Sequence, residues 1–402
     1  MVTAVSHSSG SRATEERRAL GVACGAHALH DGYTDLIYVL LPVWQAEFGL
    51  SYAEVGLLRG AFAGAMAAFQ IPAGWLSERI GAATMLAAGT ALAAMAFLLV
   101  GAATGFFVLV ALLLVGGLGS SVQHPIASAL VARAFRGARS RIALGNYNFA
   151  GDIGKMTLPA ATALLLTVTH WRAALAVVAG LGLAAALAMF LLTPRTHGAP
   201  AAEIVDASGE RARGQRPARR GFSLLLSIGA LDSATRMAFL TFLPFILVAK
   251  GASIALVGVA LALVFAGGAA GKLVCARLGV HFGVLPTVIL TEILTAAGIA
   301  VLLPLPLWAG FVLLPVVGIA LNGTSSVLYG TVPELVTPER QARAFGVFYT
   351  ATIGSGAVAP AIYGLFSDIY GVPVTMLLIA AIVLLAVPLA IALKPALPEG
   401  TP

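Results

Sequence analysis

Only 10% of the 402 residues are charged and 59% are hydrophobic, whereas a soluble domain carries about 25% charged residues. A water-soluble domain is therefore excluded, because too few charges exist to form its shell. The net charge of +7 does not indicate nucleic acid, since the basic residues lie between long apolar runs and not on one face. Cys24 and Cys275 fall in or beside apolar runs without a partner at metal-ligand spacing, so they read as reduced thiols, and neither a metal nor a cofactor is assigned.

Residues 1–22 are polar and basic, lack the apolar centre of a signal peptide, and read as a cytoplasmic tail. A span needs about twenty mostly apolar residues. With that window the chain predicts helices near 23–46, 54–77, 83–103, 106–133, 142–168 and 172–193, forming a first bundle over 23–193. A central loop over 194–220 is rich in Pro, Ala, Gly and Arg and reads as a tether. A second bundle over 221–393 follows, with helices near 221–249, 254–278, 284–304, 308–333, 342–368 and 372–393, and a tail over 394–402. The expected fold is an all-α polytopic membrane protein of twelve spans in two pseudo-symmetric six-helix halves.

Charges inside spans are expensive and mark function. In span one, His27, Asp31, Asp35 and Tyr38 recur at i, i+4, i+8 and i+11, one stripe of the helix, flanked by His30 and Thr34. Two carboxylates and an imidazole so placed can hold and pass protons. His27, Asp31 and Asp35 are thus the candidate proton-coupling residues, with Asp31 as the main carrier. The alternative is that the histidines sit at the membrane interface and solvate the helix end. Tyr33 and Tyr38 are assigned to the substrate cavity. Span two holds Gln70 and runs into Gly74, Glu78, Arg79 and Gly81. Span four carries Ser121, His124 and Ser128 on one face, with Pro125 breaking the helix.

Span five carries Asn148, Asp152 and Lys155; the last two, three apart, can pair within the helix. His170-Trp171-Arg172 reads as an interfacial anchor before span six. Span seven carries Asp232 and Arg236, four apart. Each pair is either a self-neutralising bridge or a cation offered to a polar or anionic substrate. Glu292 interrupts span nine and is accounted for only as a bridge near its cytoplasmic end. Span ten supplies Asn322, Ser325, Ser326 and Tyr329, and span eleven Tyr349 and Ser355, as ligands or as interhelix hydrogen-bonding groups.

The halves are copies. An offset of 202 residues pairs Pro42, Gly49, Ser51, Val55 and Gly56 with Pro244, Gly251, Ser253, Val257 and Gly258. Nearly the same offset pairs Gly116 with Gly318, Gly145 with Gly346 and Pro159 with Pro360. Duplicated bundles are an architecture of alternating-access transport.

With twelve spans, a 6+6 repeat and a central loop, the chain resembles the major facilitator superfamily. Gly74-Trp75-Leu76-Ser77-Glu78-Arg79-Ile80-Gly81 is similar to that superfamily's G-x-L-x-D-R-x-G signature, with Glu in place of Asp. The resemblance implies that Glu78 and Arg79 form an ion-paired latch on the cytoplasmic gate. The pattern from His27 through Asp31 and Tyr33 to Leu41-Pro42, with His124-Pro125, looks like the fosmidomycin-resistance type of bacterial efflux transporter. The expectation is a non-enzymatic, proton-coupled transporter of the bacterial inner membrane, exporting a small drug-like or anionic compound and working as a monomer among membrane lipids. A proton symporter importing an organic anion is the nearest alternative, and a membrane enzyme or sensor a more distant one. No G-x-x-x-x-G-K-[ST] loop is present, so an ion gradient supplies the energy.

With the N-terminus taken as cytoplasmic, Arg59, Arg172 and Lys250 are assigned outside and Lys155 and Arg236 within spans, which leaves 19 of the 24 basic residues inside. By the positive-inside rule both termini and the central loop are cytoplasmic. Reporter fusions at Ala199 and after Gly400 should therefore report cytoplasm and one near Lys250 the outside; a periplasmic signal from Ala199 would contradict the assignment.

Overall fold

The computed structural model describes residues 4–135, 138–194, 215–337 and 340–397. Its helices are α1 (Ala4–Phe48), α2 (Tyr52–Ile80), α3 (Ala82–Val100), α4 (Phe106–Ser120), α5 (Gln123–Ala134), α6 (Ala138–Val168) and α7 (Trp171–Leu192), then α8 (Gln215–Ala249), α9 (Ile254–Phe282), α10 (Val284–Leu302), α11 (Leu307–Thr331), α12 (Gln341–Tyr370), α13 (Val372–Val383) and α14 (Ala386–Leu393). These make twelve spans, because α4 with α5 and α13 with α14 are each one span interrupted by a turn. A proline follows each interruption, at Pro125 and Pro388. A ring nitrogen at Pro125 cannot donate to the carbonyl of Ser121, and one at Pro388 cannot donate to that of Leu384. The helices are interrupted there, at Ser121–Val122 and Leu384–Leu385. Most of the central loop, residues 195–214, lies outside the described residues, as do 398–402.

Ten of the spans are long and apolar enough by themselves to cross a membrane. The other two are α1 and α6, which hold the most polar stripes, so their place in the bilayer depends on what those stripes meet.

Glycine punctuates the repeat. Gly49 and Gly251 turn the chain after α1 and α8, and Gly81 and Gly283 turn it before α3 and α10. All four have positive φ, with nearly equal values of 89° and 88° in the second pair. A side chain would be strained in that left-handed region. The offset seen in the sequence is thus repeated in the backbone. Ser51 and Ser253 repeat too: Glu54 N–H donates to Ser51 Oγ at 3.2 Å while Glu54 Oε2 accepts from Ser51 N–H at 2.8 Å, a capping box. Ser253 Oγ accepts from Leu256 N–H at 3.4 Å.

The chain packs as two units. The first comprises residues up to 43 and 61–199, and the second 44–60 and 200–402. In the first, α3 packs on α4 and α7, and α1 meets α6 at near-backbone distance. A Cβ on Gly154 would lie 1.9 Å from the Ala28 carbonyl oxygen, and one on Gly32 2.6 Å from Leu158 Cβ. Such small-residue contacts replace the hydrophobic drive that lipid removes. The second unit packs α9 on α11 and α8 on α12. It also takes in the first turns of α2, where Asp368 accepts from the N–H groups of Tyr52 and Ala53 at 2.6 and 3.0 Å. A carboxylate there satisfies orphan donors at a helix start.

Gly154→Val should push α1 from α6 and lower the melting temperature of the solubilised protein, with a cost of about 1–3 kcal/mol for overpacking. Gly145→Ala, whose Cβ would meet nothing within 4 Å, should leave it unchanged. Equal melting of both variants would refute the close approach.

Candidate functional site

The polar stripe of α1 is buried, with His27, His30, Asp31 and Asp35 all under 9% exposed. The stripe from α6 that meets it is Tyr147, Gly151 and Lys155, at i, i+4 and i+8. His27 Nδ1 lies 2.8 Å from the carbonyl oxygen of Tyr147. A carbonyl only accepts, so Nδ1 carries the proton, and Nε2 faces Asp31 Oδ2 at 3.4 Å. The rings of His27 and Tyr147 stack at 4.1 Å, which fixes the imidazole plane. Lys155 Nζ stands 3.3 Å from the same Asp31 oxygen, and His30 Nε2 lies 3.9 Å from the other. Gly151 leaves the room for this: a Cβ there would come within 2.6 Å of Asp31 Oδ2 and 2.7 Å of His27.

α5 completes the cluster. His124 meets His27 and His30 edge to face, with ring centroids 5.2 and 4.7 Å away. Its position at the start of α5 follows from the break before Pro125. The first unit thus gathers three imidazoles, a carboxylate and an ammonium among packed apolar side chains. His27, Asp31 and His124 offer ligand atoms within 4.8 Å of one another. The Lys155 ammonium already holds the cationic place on Asp31, and the arrangement is that of an ion pair with imidazoles around it. The histidines are therefore buried within the helix cluster, not solvating a helix end.

Other expected site residues are placed differently. Tyr33 packs between α3 and α7: its ring meets Phe97, and its hydroxyl donates to the Val178 carbonyl at 2.6 Å. Tyr38 is fully buried, Asn148 is exposed and Asp152 is buried. Spacing alone offers Lys155 a partner within its own helix; its ammonium reaches across to α1. Ser121, Ser128, Ser325 and Ser326 donate to carbonyls of their own helices, the usual back-bonding of a helical hydroxyl. Ser355 does bond between helices, to the Ala230 carbonyl at 3.0 Å.

Glu78 and Arg79 do not lie in a loop. With Gly74 they occupy the last turns of α2, exposed, and only Gly81 leaves the helix. Ser77 Oγ donates to Gly74 O at 2.6 Å. A cavity of about 370 Å³ opens beside them, lined by Gln70, Gly74, Glu78, Pro125 and Arg133. Arg59, assigned outside by the charge count, is instead 1% exposed in α2, its Nη2 3.8 Å from Met237 Sδ. Lys250 does lie past a helix end, where it donates to the carbonyls of Leu303 and Leu305.

In the second unit, Asp232 is buried on α8 beside Arg236. Buried Glu292 of α10 lies within the field of both. Tyr329 meets Phe348 edge to face at 5.2 Å and Tyr349 at a tilt at 4.8 Å, and Asn322 Nδ2 donates to Gly318 O at 3.1 Å. The sequence reading missed Tyr147. Its signal was present, because Tyr147 falls on the same helical stripe as Lys155.

Twelve spans in two six-helix repeats, with ionisable groups buried in each unit, define a polytopic secondary transporter. The chain belongs to the Major Facilitator Superfamily, whose sequence model matches residues 23–227 and again 225–402. It is 27% identical over 358 residues to the fosmidomycin resistance protein of Escherichia coli K12, covering 87% of this chain and 86% of that one. It is also 27% identical over 240 residues to the probable sulfoacetate transporter SauU of Cupriavidus necator, covering 56% and 55%. Among solved structures it resembles a bacterial homologue of the human lysosomal transporter Spinster, inward-facing and occupied, with a TM-score of 0.80 at 17% identity over 95% of this chain and 97% of that one. The nucleoside transporter NupG gives 0.75 at 13% identity, over 94% and 99%.

Removing one partner of a buried ion pair costs about 3–5 kcal/mol. Lys155→Met should therefore lower thermal stability markedly, and Asp31→Asn in the same chain should restore most of the loss. If the double variant melts as low as the single one, the two charges are not coupled.

Proposed function

We propose that this protein is a proton-coupled transporter of the bacterial inner membrane that exports a small anionic or drug-like compound by alternating access. The observation that carries the reading is the single oxygen of Asp31 shared between Lys155 Nζ at 3.3 Å and His27 Nε2 at 3.4 Å. Three states follow from elementary charge balance. An ionised Asp31 holds the Lys155 ammonium. Protonation cancels that attraction and frees the ammonium, whose side chain is 32% exposed against 9% for Asp31, to take an anionic substrate group. Departure of the proton draws Lys155 back to the carboxylate and expels the anion. Proton and anion thus compete through one lysine, which is a coupling device. His27, His30 and His124 are the groups through which the proton reaches or leaves the carboxylate. Asp35 tunes the charge of the stripe.

Further parts of the reading are that Asp152, Asp232, Arg236, Asn322 and Tyr329 line the substrate path, that Glu78 and Arg79 latch the cytoplasmic gate, and that both termini are cytoplasmic. The names of the relatives support an anion or drug: one confers fosmidomycin resistance, and the other is a probable transporter of sulfoacetate, an organic anion. The second name also favours a rival, inward proton symport of an organic anion, which would use the same side chains.

Asp31→Asn mimics the protonated acid. In proteoliposomes it should abolish substrate-induced proton movement and gradient-driven accumulation while leaving substrate binding in place. A variant that still moves protons with wild-type stoichiometry would place the carrier elsewhere, with Asp152 the next candidate.

A further inference from the structure

Glu292 is the buried acid that the reading above leaves without a task. It sits in the middle of α10 at 1% exposure, and its Oε1 has no hydrogen-bond partner. The hydroxyls nearest in sequence are committed elsewhere. Thr287 donates to Gly283 O at 2.8 Å, Thr291 to Thr287 O at 2.9 Å, and Thr324 of α11 to Thr291 Oγ1 at 2.7 Å. Thr295, three residues on, has an unpartnered Oγ1 of its own.

The charges acting on Glu292 are Asp232 and Arg236 of α8. Of the helices packed against α10, namely α9, α11, α13 and α14, the last three carry no Asp, Glu, Lys or Arg, and α11 adds Tyr329 as its titratable group. α9 carries Lys272, with Arg277 and His281 exposed toward its end. Asp232 adds a like charge to that of an ionised Glu292 and Arg236 an opposite one. Asp232 and Arg236, four apart on one helix, fall on one face of it. A second ionised carboxylate, with one oxygen bare, would carry an uncompensated buried charge. That is the costliest arrangement available, and a bound proton removes it.

We propose that Glu292 is a second proton-binding site, in the C-terminal unit, and that its proton exchanges with water during the transport cycle. This rests on the proton-coupled reading for its purpose, not for its chemistry. On release, the carboxyl O–H bond breaks and the proton passes to water. Reprotonation restores the neutral acid. The chain would then carry two protons per cycle, one in each unit.

Infrared spectroscopy of the solubilised full chain at neutral pH tests this without any substrate. The wild type should show the carbonyl stretch of a protonated carboxylic acid, and the band should shift in D₂O. Glu292→Gln should remove one carboxyl's share of it, while Glu292→Asp should keep it and control for folding. A band unchanged in Glu292→Gln would overturn the site. A band that never shifts in D₂O would overturn the carrier role, leaving a structural neutral acid. Because no transported compound enters the measurement, these outcomes are distinct from failure of Asp31→Asn to alter proton movement in vesicles.

Discussion

An ionised carboxylate in a hydrocarbon layer must bring its counter-charge with it, and the contact between Asp31 and Lys155 meets that constraint in the first unit. The rest of the local structure serves it. α1 and α6 can approach closely because Gly32, Gly151 and Gly154 present no side chain where the helices touch. That proximity brings the Tyr147 carbonyl to His27 and so sets the ring's tautomer. The break before Pro125 starts a new helix with His124 in its first turn. α1 and α6 are also the two spans that fall short of the others in apolar character, which is the cost of carrying the cluster. Their stability in the bilayer depends on pairing with each other.

The second unit meets the same constraint with a different balance. Asp232 and Arg236 stand four apart on one helix, and Glu292 is a buried acid on another. One unit holds its charge by a contact between two helices, and the other buries Arg59, Asp232 and Glu292 on three. The backbone repeats more faithfully than the side chains: Gly81 and Gly283 keep the same left-handed turn, while Glu78 and Arg79 have no charged pair at the corresponding positions, Val280 and His281. A turn that only glycine can make tolerates no drift, whereas a charge can be exchanged if its partner changes with it.

Much of this was legible in the sequence because membrane physics acts on composition directly. Twelve apolar runs, glycines at a constant offset and a polar stripe at helical spacing each reflect a one-dimensional rule, and the helices lie over those runs, although α1 begins at Ala4, within the segment read as a tail. The stripe of α1 was readable for the same reason. The placements that differed were those that depend on which way a helix is turned. Tyr33 is one residue from Gly32 on the α1 sequence, yet its hydroxyl is committed to Val178. Arg59 counts as an outside cation by position and is buried in α2. Glu78 and Arg79 follow an apolar run closely enough to read as loop, but the helix continues through them.

The sequence by itself determined the number of spans, the twofold repeat, the break at Pro125 and the acids that had to be buried, since each follows from the local cost of placing a polar group or a proline in a helix within lipid. Tertiary structure alone decided the partners. The glycine-lined approach of α6 to α1 carries the Lys155 ammonium to Asp31, a contact that spacing within α6 does not indicate. Nothing in span nine indicates what Glu292 faces until α8 and α10 are folded into one unit. Pairing across helices depends on distances between chain segments far apart in sequence, and a periodicity within one helix contains no information about them.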